Sequence, residues 1–155
     1  MIFVADLRKL VIQPALRHID LYSQSAENLL LGTHLVESVI YGITHLAQLR
    51  GPALGIYQME PATYETVVRY AVHERKRYPK AAALLESSPP EALVWDLRLA
   101  TVAARMHYRR DKLPLPLAGD VAGLARYWKR VWNTAAGDGI TSRFEARYRQ
   151  FERGP

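Results

Sequence analysis

Residues 51–64 read GPALGIYQMEPATY, and the interpretation of the whole chain depends on this stretch. Two glycines and two prolines predict a tight apolar turn between two segments of helical pattern. A linker would be more polar, and a core segment would not carry Gln58 and Glu60 so soon after Gly55. The turn is therefore typical of a place where polar side chains face a ligand, with a glycine that allows close approach of the backbone.

The composition predicts one globular domain, which we place at residues 1–155. Hydrophobic residues make up 49% of the chain and charged residues 23%, which excludes a disordered protein. The absence of cysteine excludes a disulfide framework and a cysteine-based metal site. A formal net charge of +6 indicates a polyanionic partner, which can be nucleic acid, an anionic membrane or an anionic cell wall.

The first residues, MIFVADLRKL, are apolar but are interrupted by Asp6, Arg8 and Lys9. No basic start precedes a clean apolar run, so we expect no signal peptide. No apolar run in the sequence approaches the roughly 18 residues of a membrane-spanning helix, so we also expect no insertion into a membrane.

Apolar residues recur at helical spacing through most of the chain, which predicts a mainly α fold with at most a small β-hairpin. We expect Pro14 to kink or break the first helix. The second helix should cover 25–39, with Ser25 as its N-cap. Residues 54–59 are the best short strand candidate.

Four further helices are predicted from proline and capping signals, and Ser142 with Glu145 three residues later opens the last of them. One should run from Pro61 to about residue 78, because proline suits the first turn of a helix. A long helix should follow Ser88, which has Glu91 three residues later, and another should follow Asp120 through Trp132.

Glu37 lies at the C-terminal end of the second predicted helix, close to Leu35 and Val39. Apolar surroundings would disfavour the charged carboxylate and raise its pKa, and a carboxylic acid that stays protonated near neutral pH can donate a proton to a glycosidic oxygen. The alternative is an ordinary solvated residue at a helix end. The helix alone does not decide between the two interpretations.

The two segments together resemble the soluble lytic transglycosylases of the lysozyme-like superfamily. The family pattern is Glu-Ser, followed by Gly-Leu-Met-Gln-x-x-Pro-x-Thr. Here it stands as Glu37-Ser38, followed by GIYQMEPAT at residues 55–63. The resemblance implies a lysozyme-like domain that cleaves the β-1,4 bond between N-acetylmuramic acid and N-acetylglucosamine in peptidoglycan glycan strands, releasing a 1,6-anhydro sugar.

The resemblance also implies roles for individual residues, and it implies no metal and no cofactor. Glu37 would be the catalytic acid and then the base. The predicted substrate-binding residues near the first two motifs are Ser38, Gly55, Tyr57, Gln58, Glu60 and Thr63.

The third family motif, Tyr-Asn-x-Gly, is altered in this chain. Its nearest match is WNTAAG at residues 132–137, in which Asn133 fits and Trp132 replaces the tyrosine. Tyr127 would take the place of the phenol if it lies on the same helix face. We therefore add Tyr127, Trp132 and Asn133 to the predicted substrate-binding residues, because aromatic rings stack on sugar faces.

Glu60 has two interpretations. It can be a second carboxylate that opens a hydrolytic route through a base-activated water. It can instead be a first-turn acid that the dipole of the following helix stabilises. Both remain open from the sequence.

His34 and Glu37 share a helix face, but no second pair of ligands accompanies them, so no metal site is predicted. The segments HERKRYPK (73–80) and MHYRRDK (106–112) are basic and each carries a tyrosine. Solvated helix faces explain them best, and nucleic acid stays open as a less favoured partner.

Short stand-alone domains of this kind resemble those of tailed bacteriophages. That resemblance implies a protein of the virion, or of the host cytoplasm before assembly, which acts at the bacterial cell wall. The competing hypothesis is a structural virion protein that contacts other virion proteins and keeps the lysozyme-like scaffold without its activity. A nucleic-acid-binding helical domain is the third hypothesis.

Overall fold

The structure is a computed structural model that describes residues 3–40, 43–46, 51–134, 136–137 and 139–153. Nearly all of its regular secondary structure is helical, so the prediction of a mainly α fold is confirmed. The elements are α1, built from Val4–Asp6, the π-helical Leu7–Ile12 and Gln13–His18; α2, Gln24–Glu37; β1, Val39–Ile40; β2, Ile43–Thr44; α3, Pro61–His73; α4, Pro79–Glu86; a 3₁₀ turn, Pro90–Val94; α5, Leu97–Arg109; α6, Val121–Trp128, continued by the π-helical Lys129–Asn133; and α7, Thr141–Arg153.

Helix α2 is the centre of the molecule. Every residue from Ala26 to Leu35 is buried, and α1, α5, α6 and α7 pack around it. A helix that is enclosed on all sides shows no single apolar face, and its buried residues include the polar side chains of Glu27, Asn28, Thr33 and His34. Close approach to α7 requires a glycine, because a Cβ at Gly32 would lie 2.0 Å from Cζ of Phe144.

Helix α2 ends at Glu37, and α7 holds that end in place. Nη1 of Arg147 donates hydrogen bonds to the carbonyl oxygens of Leu35 (2.6 Å), Val36 (3.2 Å) and Val39 (2.7 Å). The last carbonyl groups of a helix have no partner within the helix, so one guanidinium nitrogen satisfies two of them, on Leu35 and Val36, together with the carbonyl of Val39. The result is a rigid helix end that carries a carboxylic acid.

The chain leaves α2 through a short antiparallel hairpin and then reaches the turn that opened the sequence analysis. Val39 pairs with Thr44 and Ile40 with Ile43. In the turn, Leu54 and Met59 exchange two backbone hydrogen bonds of 3.0 and 2.9 Å. The strand predicted at 54–59 is thus an isolated bridge around a turn.

Gly55 has a backbone conformation that only glycine adopts easily, with φ +73°. A Cβ at this position would also lie 2.3 Å from the carbonyl oxygen of Leu93. The glycine is therefore required both by the turn and by its contact with the 3₁₀ turn.

Some of the predicted helix limits are wrong. The cap of α2 is Ser23, whose Oγ accepts from the Ala26 amide at 3.0 Å, and not Ser25. Ser88 donates its hydroxyl to the carbonyl of Leu84, and Asp96 caps α5 instead. The third predicted helix ends at His73, because the chain turns before Pro79 and the proline opens α4.

Helix α1 continues through Pro14 without the predicted break. The π-helical turn at Leu7–Ile12 precedes this proline, which stands in the first turn of the following α-helical part. A π-helical turn changes the hydrogen-bond register, which accommodates a residue that lacks an amide proton.

Candidate active site

A cavity of about 350 Å³ lies where α2, the turn at residues 53–60, α3, α5 and the end of α6 meet. Six of the residues predicted from the sequence line it. They are Glu37, Gln58, Glu60, Thr63, Trp132 and Asn133. The fold therefore brings together side chains from the first motif, the second motif and the altered third motif, which are far apart along the chain.

Glu37 is half-buried in the wall of this cavity. Burial raises the pKa of its carboxyl group to about 7. A hydrogen bond from Trp128 and the charges of Arg143 and Arg147 lower the pKa, but burial outweighs them. The indole Nε1 of Trp128 donates to Oε1 of Glu37 at 3.1 Å. The position at the negative end of the α2 dipole also disfavours the carboxylate. Glu37 is therefore a carboxylic acid that retains its proton close to neutral pH.

A second glutamate on the same helix shows the opposite behaviour. Glu27 is fully enclosed, yet hydrogen bonds from Arg8, Gln13 and Tyr22 to its carboxylate outweigh the effect of burial and hold its pKa below the ordinary value. Glu27 is a paired structural group that ties α1 to α2. Glu37 differs from Glu27 because it is half-buried with fewer hydrogen bonds to its carboxyl group, so burial raises its pKa instead of being outweighed.

Gln58 turns its amide nitrogen back onto its own turn. Nε2 donates to the carbonyl of Gly55 at 2.8 Å and, more weakly, to that of His45 at 3.4 Å. Within the described residues, Oε1 of Gln58 accepts no hydrogen bond. Its carbonyl oxygen is thus available to a ligand that carries a hydroxyl or amide donor.

The π-helical segment at the end of α6 sets the orientation of Asn133. Its Oδ1 accepts from Nζ of Lys129 at 2.7 Å and from the amide of Gly139 at 3.1 Å. Its Nδ2 also lies close to Gly139, because a Cβ at that glycine would stand 2.8 Å from Nδ2. These contacts hold the Asn133 side chain, which lines the cavity, in one orientation.

Trp132 belongs to an aromatic cluster behind the cavity wall. Its ring centroid lies 4.9 Å from that of His107, 5.3 Å from that of Tyr108 and 6.3 Å from that of Tyr57. This packing fixes the ring, and the part that lines the cavity offers a flat apolar surface.

Four of the predicted substrate-binding residues, Ser38, Gly55, Tyr57 and Tyr127, do not line the cavity. Ser38 and Tyr57 are buried behind the site: Ser38 donates to the carbonyl of Ile56 at 2.6 Å, and the Tyr57 hydroxyl lies 3.3 Å from Oγ1 of Thr101. Tyr127 is buried too, and its hydroxyl lies 3.4 Å from the carbonyl of Leu113. None of the three lines the cavity, so these side chains support its walls. Gly55 likewise shapes the turn without lining the cavity.

Sequence reasoning missed five lining residues: Ala53, Met59, His107, Val131 and Thr134. His107 lies on the basic segment 106–112, for which the sequence favours a solvated helix face. Its Nε2 donates to the carbonyl of Val131 at 3.1 Å, and burial lowers its pKa to about 4, so the ring is neutral at pH 7. No local pattern in the sequence indicates this inward position, because Arg110 follows three residues later on the same helix face.

Comparison of the chain with models of protein families, with curated proteins and with solved structures finds no match. The resemblance to lytic transglycosylases therefore stays a prediction based on motifs. In the described part of the chain, no three His, Cys, Asp or Glu side chains are placed to hold a metal ion. None of the helices that the structure describes has the length and apolar character needed to cross a membrane.

Proposed function

We propose that this protein cleaves the β-1,4 glycosidic bonds of peptidoglycan, with Glu37 as the general acid. One observation carries the proposal: a half-buried carboxyl group with a pKa of about 7 stands in a cavity that Gln58, Thr63, Trp132 and Asn133 also line. The motifs predicted these residues to serve one site, and a polysaccharide needs polar and flat apolar groups side by side.

The first chemical step is proton donation. Burial raises the pKa of Glu37 to about 7, so the side chain can hold a proton near neutral pH, and a general acid is most efficient when its pKa lies near the working pH. The proton moves to the glycosidic oxygen as the bond from that oxygen to the anomeric carbon breaks. Trp128 keeps the carboxyl group oriented through its hydrogen bond to Oε1.

The other cavity residues suit the groups of an N-acetylated sugar. Oε1 of Gln58 can accept from a hydroxyl or from the acetamide N–H. Asn133 adds a second polar side chain to the same cavity. The Trp132 ring supplies an apolar surface for a sugar face. The substrate lies in the bacterial cell wall, so we propose that the protein acts there, as a virion-associated enzyme on a lysozyme-like scaffold.

Turbidity of purified peptidoglycan tests the proposal. We expect the native protein to clear the suspension and the Glu37→Gln variant to be slower by a factor of about 100 or more. Glu65→Gln is the matched control, because Glu65 is an exposed glutamate on α3 that does not line the cavity. Loss of clearing in both variants, or in neither, would refute the role of Glu37.

The structural hypothesis rests on the third motif. Trp132 stands where the family carries a tyrosine, so the phenol of that tyrosine is missing. A native protein that folds but does not clear peptidoglycan would favour this second candidate, a virion component that uses the scaffold for assembly.

A further inference from the structure

Glu60 is a second carboxylate in the cavity of Glu37, and its environment is different. The side chain is exposed and lines the cavity at the start of α3, whereas Glu37 is half-buried at the end of α2. Two carboxyl groups in contrasting surroundings are the arrangement that divides acid and base roles between them.

The alternative role for Glu60 is helix capping, and the structure offers an internal comparison. Ser23, Asp96 and Asp120 each occupy an N-cap position, and each accepts a hydrogen bond from the backbone amide three residues later. Glu60 occupies the N-cap position of α3, yet its side chain makes no such bond. Among the described residues it also forms no salt bridge. Its carboxylate is therefore not engaged by the helix.

We propose that Glu60 is the general base that activates a water molecule, so that cleavage is hydrolytic and the product ends in a free reducing sugar. This inference rests on the proposed function, and it replaces the 1,6-anhydro product that the family resemblance implies. In this role Glu60 is a catalytic residue, because a general base contacts the water molecule that it activates.

The step balances without any further reagent. The Glu37 carboxyl gives its proton to the glycosidic oxygen while the bond from that oxygen to C1 breaks. The oxygen of water bonds to C1, and the Glu60 carboxylate accepts one proton from that water. Proton exchange with solvent then restores both side chains, and the net reaction consumes one water molecule.

Mass spectrometry of the fragments released from purified peptidoglycan in ¹⁸O-labelled water tests the inference. A hydrolysed fragment is heavier than its anhydro counterpart by one water, and it carries ¹⁸O at the new reducing end. We expect labelled, hydrolysed fragments from the native protein. We expect Glu60→Gln to release them at a rate lower by a factor of about 100 or more.

Glu65→Gln, on the same helix but outside the cavity, should release labelled fragments at the native rate. Circular dichroism confirms that each variant is folded, and Glu60→Asp, which retains a carboxylate, should recover part of the activity. Anhydro fragments from the native protein would overturn the role of Glu60 and leave the proposed function standing. A folded Glu60→Gln variant that releases fragments at the native rate would also overturn the role of Glu60 and leave the proposed function standing. A native protein that releases no fragments would overturn both.

Discussion

Replacement of Glu37 by glutamine tests whether the carboxyl group is desolvated, independently of any substrate. Glutamine has nearly the same shape and keeps an Oε1 that can accept the hydrogen bond from Trp128. It cannot ionise. The variant therefore differs from the native protein mainly because it lacks the unfavourable free energy of a charged carboxylate at position 37 in the folded state.

The size and sign of the effect follow from the pKa. Burial raises the pKa of Glu37 from its ordinary value of 4.5 to about 7 in the folded protein. Below the ordinary value the group is protonated in both the folded and the unfolded chain and contributes no pH dependence. As the pH rises towards 7 and beyond, only the folded chain resists ionisation, so the native protein loses stability. At about 1.4 kcal/mol per pH unit, the loss amounts to about 3 kcal/mol.

Urea unfolding, followed by circular dichroism at pH 4.5 and at pH 8, measures this difference. We expect the free energy of unfolding of Glu37→Gln, minus that of the native protein, to be about 3 kcal/mol larger at pH 8 than at pH 4.5. Other titrating groups, including His34 and His107, are common to both proteins and largely cancel. A difference that stays constant with pH would refute the desolvation of Glu37, and with it the physical basis of the proposed acid.

Three other substitutions test the turns and the helix end that shape the cavity. Gly55→Ala places a Cβ against the carbonyl of Leu93 at positive φ, so we expect a loss of at least about 1 kcal/mol in urea unfolding; an unchanged midpoint would contradict the role of this turn. Thr134 has φ +60° and ψ 175°, so Thr134→Gly should gain about 1 kcal/mol in the same assay, and a loss would show that the residue is not strained. Arg147→Met removes the donor to the end of α2 and a charge that opposes the raised pKa of Glu37. We expect a loss of about 2 kcal/mol and, by NMR titration, a higher pKa for Glu37; an equal or lower pKa would argue against this charge coupling.

The sequence predicted the mainly α fold, and six of the site residues that it named line one cavity. Glu37, Gln58 and Asn133 were predicted from a resemblance to family motifs, the third of which is altered in this chain, and all three line the cavity. Helical periodicity is a local property, so it predicts helices without knowledge of their packing.

The sequence could not show which way the neighbours of these residues point. Ser38 and Tyr57 stand next to cavity residues along the chain, but α2 is enclosed on all sides and the turn directs Tyr57 into the core. His107 reaches the cavity only because the end of α6 crosses α5. Such placements depend on tertiary packing between distant segments, and one sequence does not encode them in any local pattern.

The two π-helical segments were not predicted for a related reason. The apolar spacing of Leu7–Ile12 and Lys129–Asn133 is compatible with an ordinary α-helix, and the additional residue per turn is set by packing. The second segment nevertheless determines how Trp132 and Asn133 meet the cavity. Sequence reasoning therefore placed these residues at the site without the local geometry that presents them.

The pH dependence of fragment release from purified peptidoglycan tests the central claim most directly. If protonated Glu37 is the acid, the rate should fall as the pH rises through about 7, and the Glu37→Gln variant should be slower by a factor of about 100 or more wherever the native protein is active. A rate that increases as the pH rises through 7, or one that persists in the variant, would contradict it.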